Sequence, residues 1–211
     1  MTDSSLVSSV LPSSAPIDVS LTALPDRATL APLWQALEAR SDASFFVSWS
    51  WIGVWLALLP PEVPARLLQA RQGGQVVGLA VVVDGPPRRR FGVDFCRTAW
   101  LHATGRPELD ILTIEHNDLL IDRRVAQPVR AAMLAHWLGQ LRGVTEVTLP
   151  GLAGTGWPAG TESSSRRRVV RDDWVRRSYA VDLRAVRAAG GVFPKLISSN
   201  SRSQTRRSLK E

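Results

Sequence analysis

Apolar and polar residues alternate over residues 17–24: Ile17, Val19, Leu21 and Ala23 against Asp18, Ser20 and Thr22. A period of two predicts a half-buried strand. Pro25-Asp26 then opens a helix to about Arg40, since Leu30, Leu33, Trp34 and Leu37 recur at helical spacing. Trp51, Ile52, Trp55, Leu56 and Leu59 repeat that spacing behind Ser48 and Ser50, either of which can cap a second helix. Pro60-Pro61 stops it.

The clearest local signal comes next. Residues 66–71 form a short strand, Gln72-Gly73-Gly74-Gln75 a turn, and residues 76–83 an apolar strand. A Gly-Gly pair between two such runs indicates a hairpin. The unbroken apolar character of the second run predicts burial on both faces, hence a central strand. Gly85-Pro86-Pro87 is expected to break it, and a third strand spans roughly 91–101. Residues 110–121 are mixed, a strand running into a loop. An amphipathic helix follows over 122–141, with Val125, Val129, Ala132, Met133, His136 and Trp137 on one face. A strand over 144–149, a Gly/Ser/Pro-rich loop over 150–165 and a strand over 174–183 come after it. Residues 185–211 read as helical pieces broken by Gly190-Gly191 and Pro194. The order predicts an α+β (α/β layered) fold: a mixed, mostly antiparallel sheet flanked by helices.

Composition narrows the class. At 211 residues and 45% apolar content the chain can bury a core without metal or disulfide staples, and disorder is excluded for most of it. Residues 1–16 are the exception, a Ser/Pro-rich stretch without periodicity that predicts a disordered leader. It has no basic region and no sustained apolar core, so it is not a signal peptide. Cys96 is the single cysteine, which rules out an internal disulfide and a multi-thiolate zinc site. The longest apolar run is far shorter than the ~20 residues of a membrane span, so no membrane partner is expected and a cytoplasmic location is the default. The net charge of +7 is unevenly placed. Residues 1–165 carry 13 Arg and 15 acidic residues, residues 166–211 carry 13 basic and 4 acidic ones. Eight tryptophans supply large apolar area, read first as core and second as a stacking surface.

Few residues announce chemistry. His102, His116 and His136 stand at no metal-like spacing, so no metal site is expected, and no Gly-x-Ser-x-Gly elbow or Walker loop occurs. His136 reads as a core or boundary residue of its helix. Glu115, His116, Asn117 and Asp118 form the densest polar group inside an apolar stretch. Glu115, His116 and Asp118 are of types that serve as general acids or bases when partly buried. The competing reading is a polar loop in which Asp118 or Asp122 caps the following helix. Gly151, Gly154 and Gly156 follow a strand and can bring backbone N–H groups to a phosphate, although Trp157-Pro158 intervenes before any helix. Arg202, Arg206 and Arg207 make the tail a basic surface. Nucleic acid is disfavoured as its ligand, because no aromatic residue is interleaved for stacking.

Four segments carry a family resemblance: Ser44-Phe45-Phe46 with Trp49-Ser50-Trp51; Leu67 through Leu79; Ile114-Glu115-His116-Asn117-Asp118-Leu119-Leu120; and Ser198-Ser199-Asn200-Ser201-Arg202 followed by Arg206-Arg207-Ser208-Leu209. In order and spacing they resemble the N-terminal portion of the cellulose-biosynthesis-associated (CelD/BcsL-like, FemAB-related) acetyltransferases of the GNAT superfamily. The resemblance covers most of residues 40–211. It implies an acyl-CoA-dependent acyltransferase with acetyl-CoA as co-substrate and an amine or hydroxyl as acceptor. Such folds splay two neighbouring strands for the pantetheine arm and rest the pyrophosphate on a helix N-terminus. The family proteins are about twice as long, with two GNAT-like halves, of which the second carries the recognisable acyltransferase domain.

Three readings follow. The first is the N-terminal part of a GNAT acyltransferase, linked to exopolysaccharide or cellulose biosynthesis. It has a GNAT-like domain over 17–183, a basic helical segment over 184–211 leading into an absent second GNAT domain, and Glu115, His116 and Asn117 near an acceptor cleft. The second is a non-catalytic GNAT-like module that binds an acidic partner or polyanion through the basic C-terminal segment. The third is a complete small GNAT enzyme with a degenerate cofactor loop.

Overall fold

A computed structural model of the chain describes residues 15–112, 114–141, 144–152 and 181–208. They fall in two units, residues 1–167 and residues 168–211. In the first, strand β1 (Ile17–Ala23) leads into helix α1 (Arg27–Glu38), a 3-10 turn (Phe45–Val47) and helix α2 (Trp49–Leu58). Asp26 caps α1 by accepting from the Thr29 backbone N–H at 2.8 Å. Ser48 stands at the N-cap of α2, but its hydroxyl donates back to the Phe45 carbonyl at 2.6 Å instead of capping. The Glu38 carboxylate takes the Trp49 N–H at 2.8 Å, which ties the end of α1 to the start of α2.

Strands β2 (Ala65–Gln72), β3 (Gln75–Arg90) and β4 (Val93–Leu101) form a meander, with Gly73 and Gly74 both left-handed in the first turn. Gly85-Pro86-Pro87 does not end β3, contrary to expectation. The strand runs on to Arg90, and the disturbance is absorbed as register shifts between Gly85 and Arg88 and between Arg88 and Arg89. The turn then falls on Phe91-Gly92, so β4 begins at Val93 and not at Phe91. Proline tolerates this because the stretch from Pro86 to Arg90 is exposed and bulged, away from the buried ladder.

After β4 the chain loops to a two-residue strand β5 (Leu120–Ile121), a 3-10 turn (Arg123–Val125), helix α3 (Ala126–Gln140) and strand β6 (Val144–Thr148). The main strand order is β1-β2-β3-β4-β6, with β5 pairing β3 where β4 has left it. All pairs are antiparallel except β4–β6, which is parallel and joined through α3. β3 is central, as its apolar run predicts. Leu79, Val81 and Val83 pack with α1 and α2 on one face, and Ala80 and Val82 pack with α3 on the other. Trp34 and Trp137 are fully buried, one in each core. His136 is half-buried on α3. The fold is the expected α+β layering of helices on both faces of a mixed sheet.

In the second unit, helix α4 (Leu183–Ala188), a 3-10 turn (Phe193–Leu196) and helix α5 (Ser199–Ser208) are described. Gly190 and Gly191, both left-handed, separate the helices as expected, while Pro194 lies within the 3-10 turn and does not break it. Leu183 opens α4, which corrects the C-terminal edge of the strand expected over 174–183. The rest of that strand, most of the 150–165 loop and residues 1–14 of the leader lie outside the described residues.

Candidate functional site

The loop between β4 and β5 brings the polar group at 115–118 to the ends of β4 and β6. The ladder between these two strands stops at Trp100 and Thr148. Past that point Asn117 stands between the strands. Its side-chain Nδ2 donates to the Leu101 carbonyl at 3.0 Å, and its backbone N–H donates to the Gly151 carbonyl at 2.8 Å. Asn117 is fully buried. Gly151, at φ 61°, passes so close to the Ile114 carbonyl that a Cβ there would collide with it. The strand ends are therefore bridged by Asn117, through its side chain at β4 and its backbone beyond β6.

Asn117 also fixes His102, the residue that follows β4. Since the Asn117 amide nitrogen serves Leu101, its Oδ1 faces the His102 Nδ1 at 2.8 Å and can only accept. His102 thus carries its proton on Nδ1, and its Nε2 is buried without a hydrogen-bond partner among the described residues. Burial pushes its pKa down to about 4, so the ring is neutral at pH 7. The ring edges onto Trp34 at 6.1 Å between centroids, and the backbone sits at φ 49°. Nothing in the 15-residue separation marks this pairing as a contact, so sequence reasoning misses it.

On the other side of the same loop lies a cleft of about 290 Å³, closed by the α1–α2 connection and the start of α3. Ser44, His116, Asp118, Arg123 and Arg130 line it. The Ser44 hydroxyl donates to the His116 carbonyl at 2.9 Å. Arg130, mostly buried, grips Asp118 with both terminal nitrogens, and Arg123 donates to Asp42 at 2.8 Å. Of the residues singled out from sequence, His116 lies in this cleft, Asn117 points into the core, and Glu115 is exposed. Gly151 takes part in the strand-end bridge, while Gly154 and Gly156 lie outside the described residues. Arg202, Arg206 and Arg207 lie on α5 in the second unit, where Arg202 donates to the Pro194 and Ile197 carbonyls.

Asp122 caps the 3-10 turn before α3, accepting from the Arg124 N–H at 3.1 Å. It is fully buried and paired with Arg124 at 2.7 Å and Arg40 at 3.0 Å. Those guanidinium groups, Arg124 foremost, hold its carboxyl well below the usual carboxylate range. Of the two caps proposed from sequence, Asp122 is the one used at this terminus.

No family model matches the chain, and no curated protein matches it. Among solved structures, it is similar to the ribosomal-protein-alanine N-acetyltransferase from Brucella melitensis biovar Abortus 2308. That match has 17% identity and a TM-score of 0.42, covering 79% of this chain and 99% of that one. An aminoglycoside acetyltransferase from an uncultured soil metagenomic sample matches at 16% identity and a TM-score of 0.40, over 77% and 99% of the two chains. Aminoglycoside N-acetyltransferase AAC(6')-Iy in complex with CoA matches at 12% identity and a TM-score of 0.36, over 81% and 100%. The fold class stands on the strand order and register, not on these likenesses.

Acetyl-CoA, which the resemblance implies, needs a gap between neighbouring strands and open N–H groups at a helix start. In the described residues Asn117 fills the space between the ends of β4 and β6. The start of α3 holds a buried carboxylate on an N–H group that a phosphate would need, and Asp122 through Gln127 contain no glycine to let a phosphate approach. These residues do not fit the cofactor.

Proposed function

We propose that this chain is the acceptor-side half of an acyl-CoA-dependent N- or O-acyltransferase of the GNAT superfamily, with acyl-CoA held by a second GNAT-like domain. The observation that carries the division of labour is the Asn117 bridge, which closes the space between β4 and β6. The polar cleft beside it remains available. Ser44, His116, Asp118 and Arg130 offer donors and acceptors of both charges there, which suits an amine or hydroxyl acceptor. The four-segment resemblance suggests an acceptor from exopolysaccharide or cellulose biosynthesis.

Thermal unfolding of the 211-residue chain with and without acetyl-CoA tests this. A ligand at a hundred times its dissociation constant adds about 2.7 kcal/mol of stability. No rise in Tm is expected. A clear rise overturns the division, because it shows a working cofactor pocket in this chain, and favours the complete-enzyme reading. The module reading draws on a different observation: α5 is exposed except at the half-buried Ser201 and Arg202, and it carries Arg206 and Arg207. Binding to a polyanion such as heparin that falls steeply with salt would support it.

A further inference from the structure

The distal part of the β3–β4 hairpin carries two features that neither core uses. β3 is buried from Val77 to Val83 and exposed from Pro86 to Arg90, and β4 is exposed from Val93 to Phe95. The first feature is apolar. Phe91 is 92% exposed, Val93 66% and Phe95 59%, and none of them packs against either core. A single exposed apolar side chain is ordinary on a protein surface, but these gather at one hairpin end.

The second feature is charge. Arg88 is held by Glu146, and Arg89 donates to Asp94 at 2.7 Å. Arg90 and Arg97 are exposed, and neither has a carboxylate within ion-pair distance among the described residues. The hairpin therefore keeps excess positive charge after its ion pairs are made. The Arg90 guanidinium lies over the Phe91 ring instead, 5.4 Å from its centroid. A cation thus rides on the apolar tip itself.

The backbone suits such a tip. Arg90 and Val93 are still paired across the ladder, and Phe91 and Gly92 close it with φ of 52° and 79°. The ladder thus supplies main-chain partners up to the turn, as an apolar medium requires.

We infer that this tip inserts into the interface of an anionic lipid bilayer, with Phe91, Val93 and Phe95 below the headgroups and Arg90 and Arg97 on lipid phosphates. From Pro86 to Arg90 the exposed strand measures roughly 16 Å at ~3.3 Å per residue. That length lets the tip sit about 5–10 Å deep while the rest of its unit stays in water. Other partners answer only one of the two features. An apolar protein face would bury Arg90 and Arg97 without carboxylates. Single-stranded nucleic acid wants bare ring faces in a row, whereas Arg90 covers one face of Phe91 and Val93 offers no ring. Among the described residues no helix is long and apolar enough to cross a membrane, and a hairpin tip that dips into one leaflet needs none. The expected absence of a membrane partner follows from the lack of a span and does not reach such a surface.

Co-sedimentation of the full chain with vesicles at low salt tests this, using phosphatidylcholine alone and an equal mixture with phosphatidylglycerol. Binding to the mixture and little to phosphatidylcholine is expected, weakening as salt rises. Phe91→Asn should weaken binding to the mixture about tenfold or more, the worth of one buried aromatic side chain. Asparagine suits the left-handed turn, so this variant should keep the wild-type Tm. Arg90→Gln and Arg97→Gln should each weaken binding about fivefold, as loss of one cation at an anionic surface does. Val93→Thr keeps a β-branched residue in the strand and should weaken binding as well, which gives a second reading if Phe91→Asn unfolds early. Failure to bind the mixture overturns the proposal. So does binding that Phe91→Asn and Val93→Thr leave unchanged, which would assign it to another basic surface such as α5. Equal binding to phosphatidylcholine alone removes the arginines from the contact and overturns it too. A chain that binds oligothymidylate through Phe91 and ignores the vesicles overturns it in favour of nucleic acid.

Discussion

Asn117 does more than any other single side chain at the candidate site. One amide satisfies the carbonyl at the end of β4, fixes the tautomer of His102 and stands between two strand ends. Asn117→Ala leaves a buried carbonyl and a buried ring N–H unpaired, and should cost about 2–4 kcal/mol in denaturant unfolding. His102 has its own signature. Its folded pKa is depressed to about 4 from 6.5, so between those values the unfolded chain binds a proton that the folded chain refuses. Stability is therefore full above pH 6.5 and falls as pH drops towards 4, by about 3 kcal/mol at 1.4 kcal/mol per unit. His102→Gln should flatten that slope, measured by urea midpoints at a series of pH values. Asp122 acts below this window, because its contribution is present above the ordinary carboxylate pKa and is lost as pH falls further. Asp122→Asn leaves the partly exposed Arg40 and Arg124 without their carboxylate, a loss of about 2 kcal/mol for charge-assisted hydrogen bonds.

At the scale of elements, β3 and α3 approach each other closely in the second core. Gly78 lies under α3, where a Cβ would collide with the Met133 sulfur and come 2.9 Å from Val129 Cγ1. Gly78→Ala should cost about 1–3 kcal/mol by overpacking, read from the unfolding midpoint. Most elements were legible in sequence because each is stabilised by a local period: alternation in β1, 3.6-residue spacing in α1 and α3, and the Gly-Gly turn between β2 and β3. The extension of β3 through Pro86-Pro87 was not legible. Proline's missing N–H counts against a strand only where the ladder needs it, and the bulged, exposed edge that spares it exists only once β4 is in place. Likewise Ser48 occupies a cap position by its spacing, yet its hydroxyl turns to Phe45 because a 3-10 turn precedes it.

At the scale of the molecule, the parallel pairing of β4 with β6 across α3 is the one parallel crossover among the described residues. It creates the place where the candidate site lies, at the ends of two parallel strands. The expected silence of the chain towards acetyl-CoA is a prediction at this scale, since it depends on a bridge between distant segments and not on one motif.

The sequence by itself determined the class of layers, the central place of β3, the polar character of residues 115–118 and the basic C-terminal segment. These follow from periodicity, apolar run length and charge, all of which act within a few residues of chain. Only the tertiary structure decided that Asn117 would reach Leu101, His102 and Gly151, that Asp122 would meet Arg40 and Arg124, and that Ser44 and Arg130 would share a cleft. Those contacts join positions up to 82 residues apart, and their partners are chosen by strand register and helix packing, which leave no mark on local spacing.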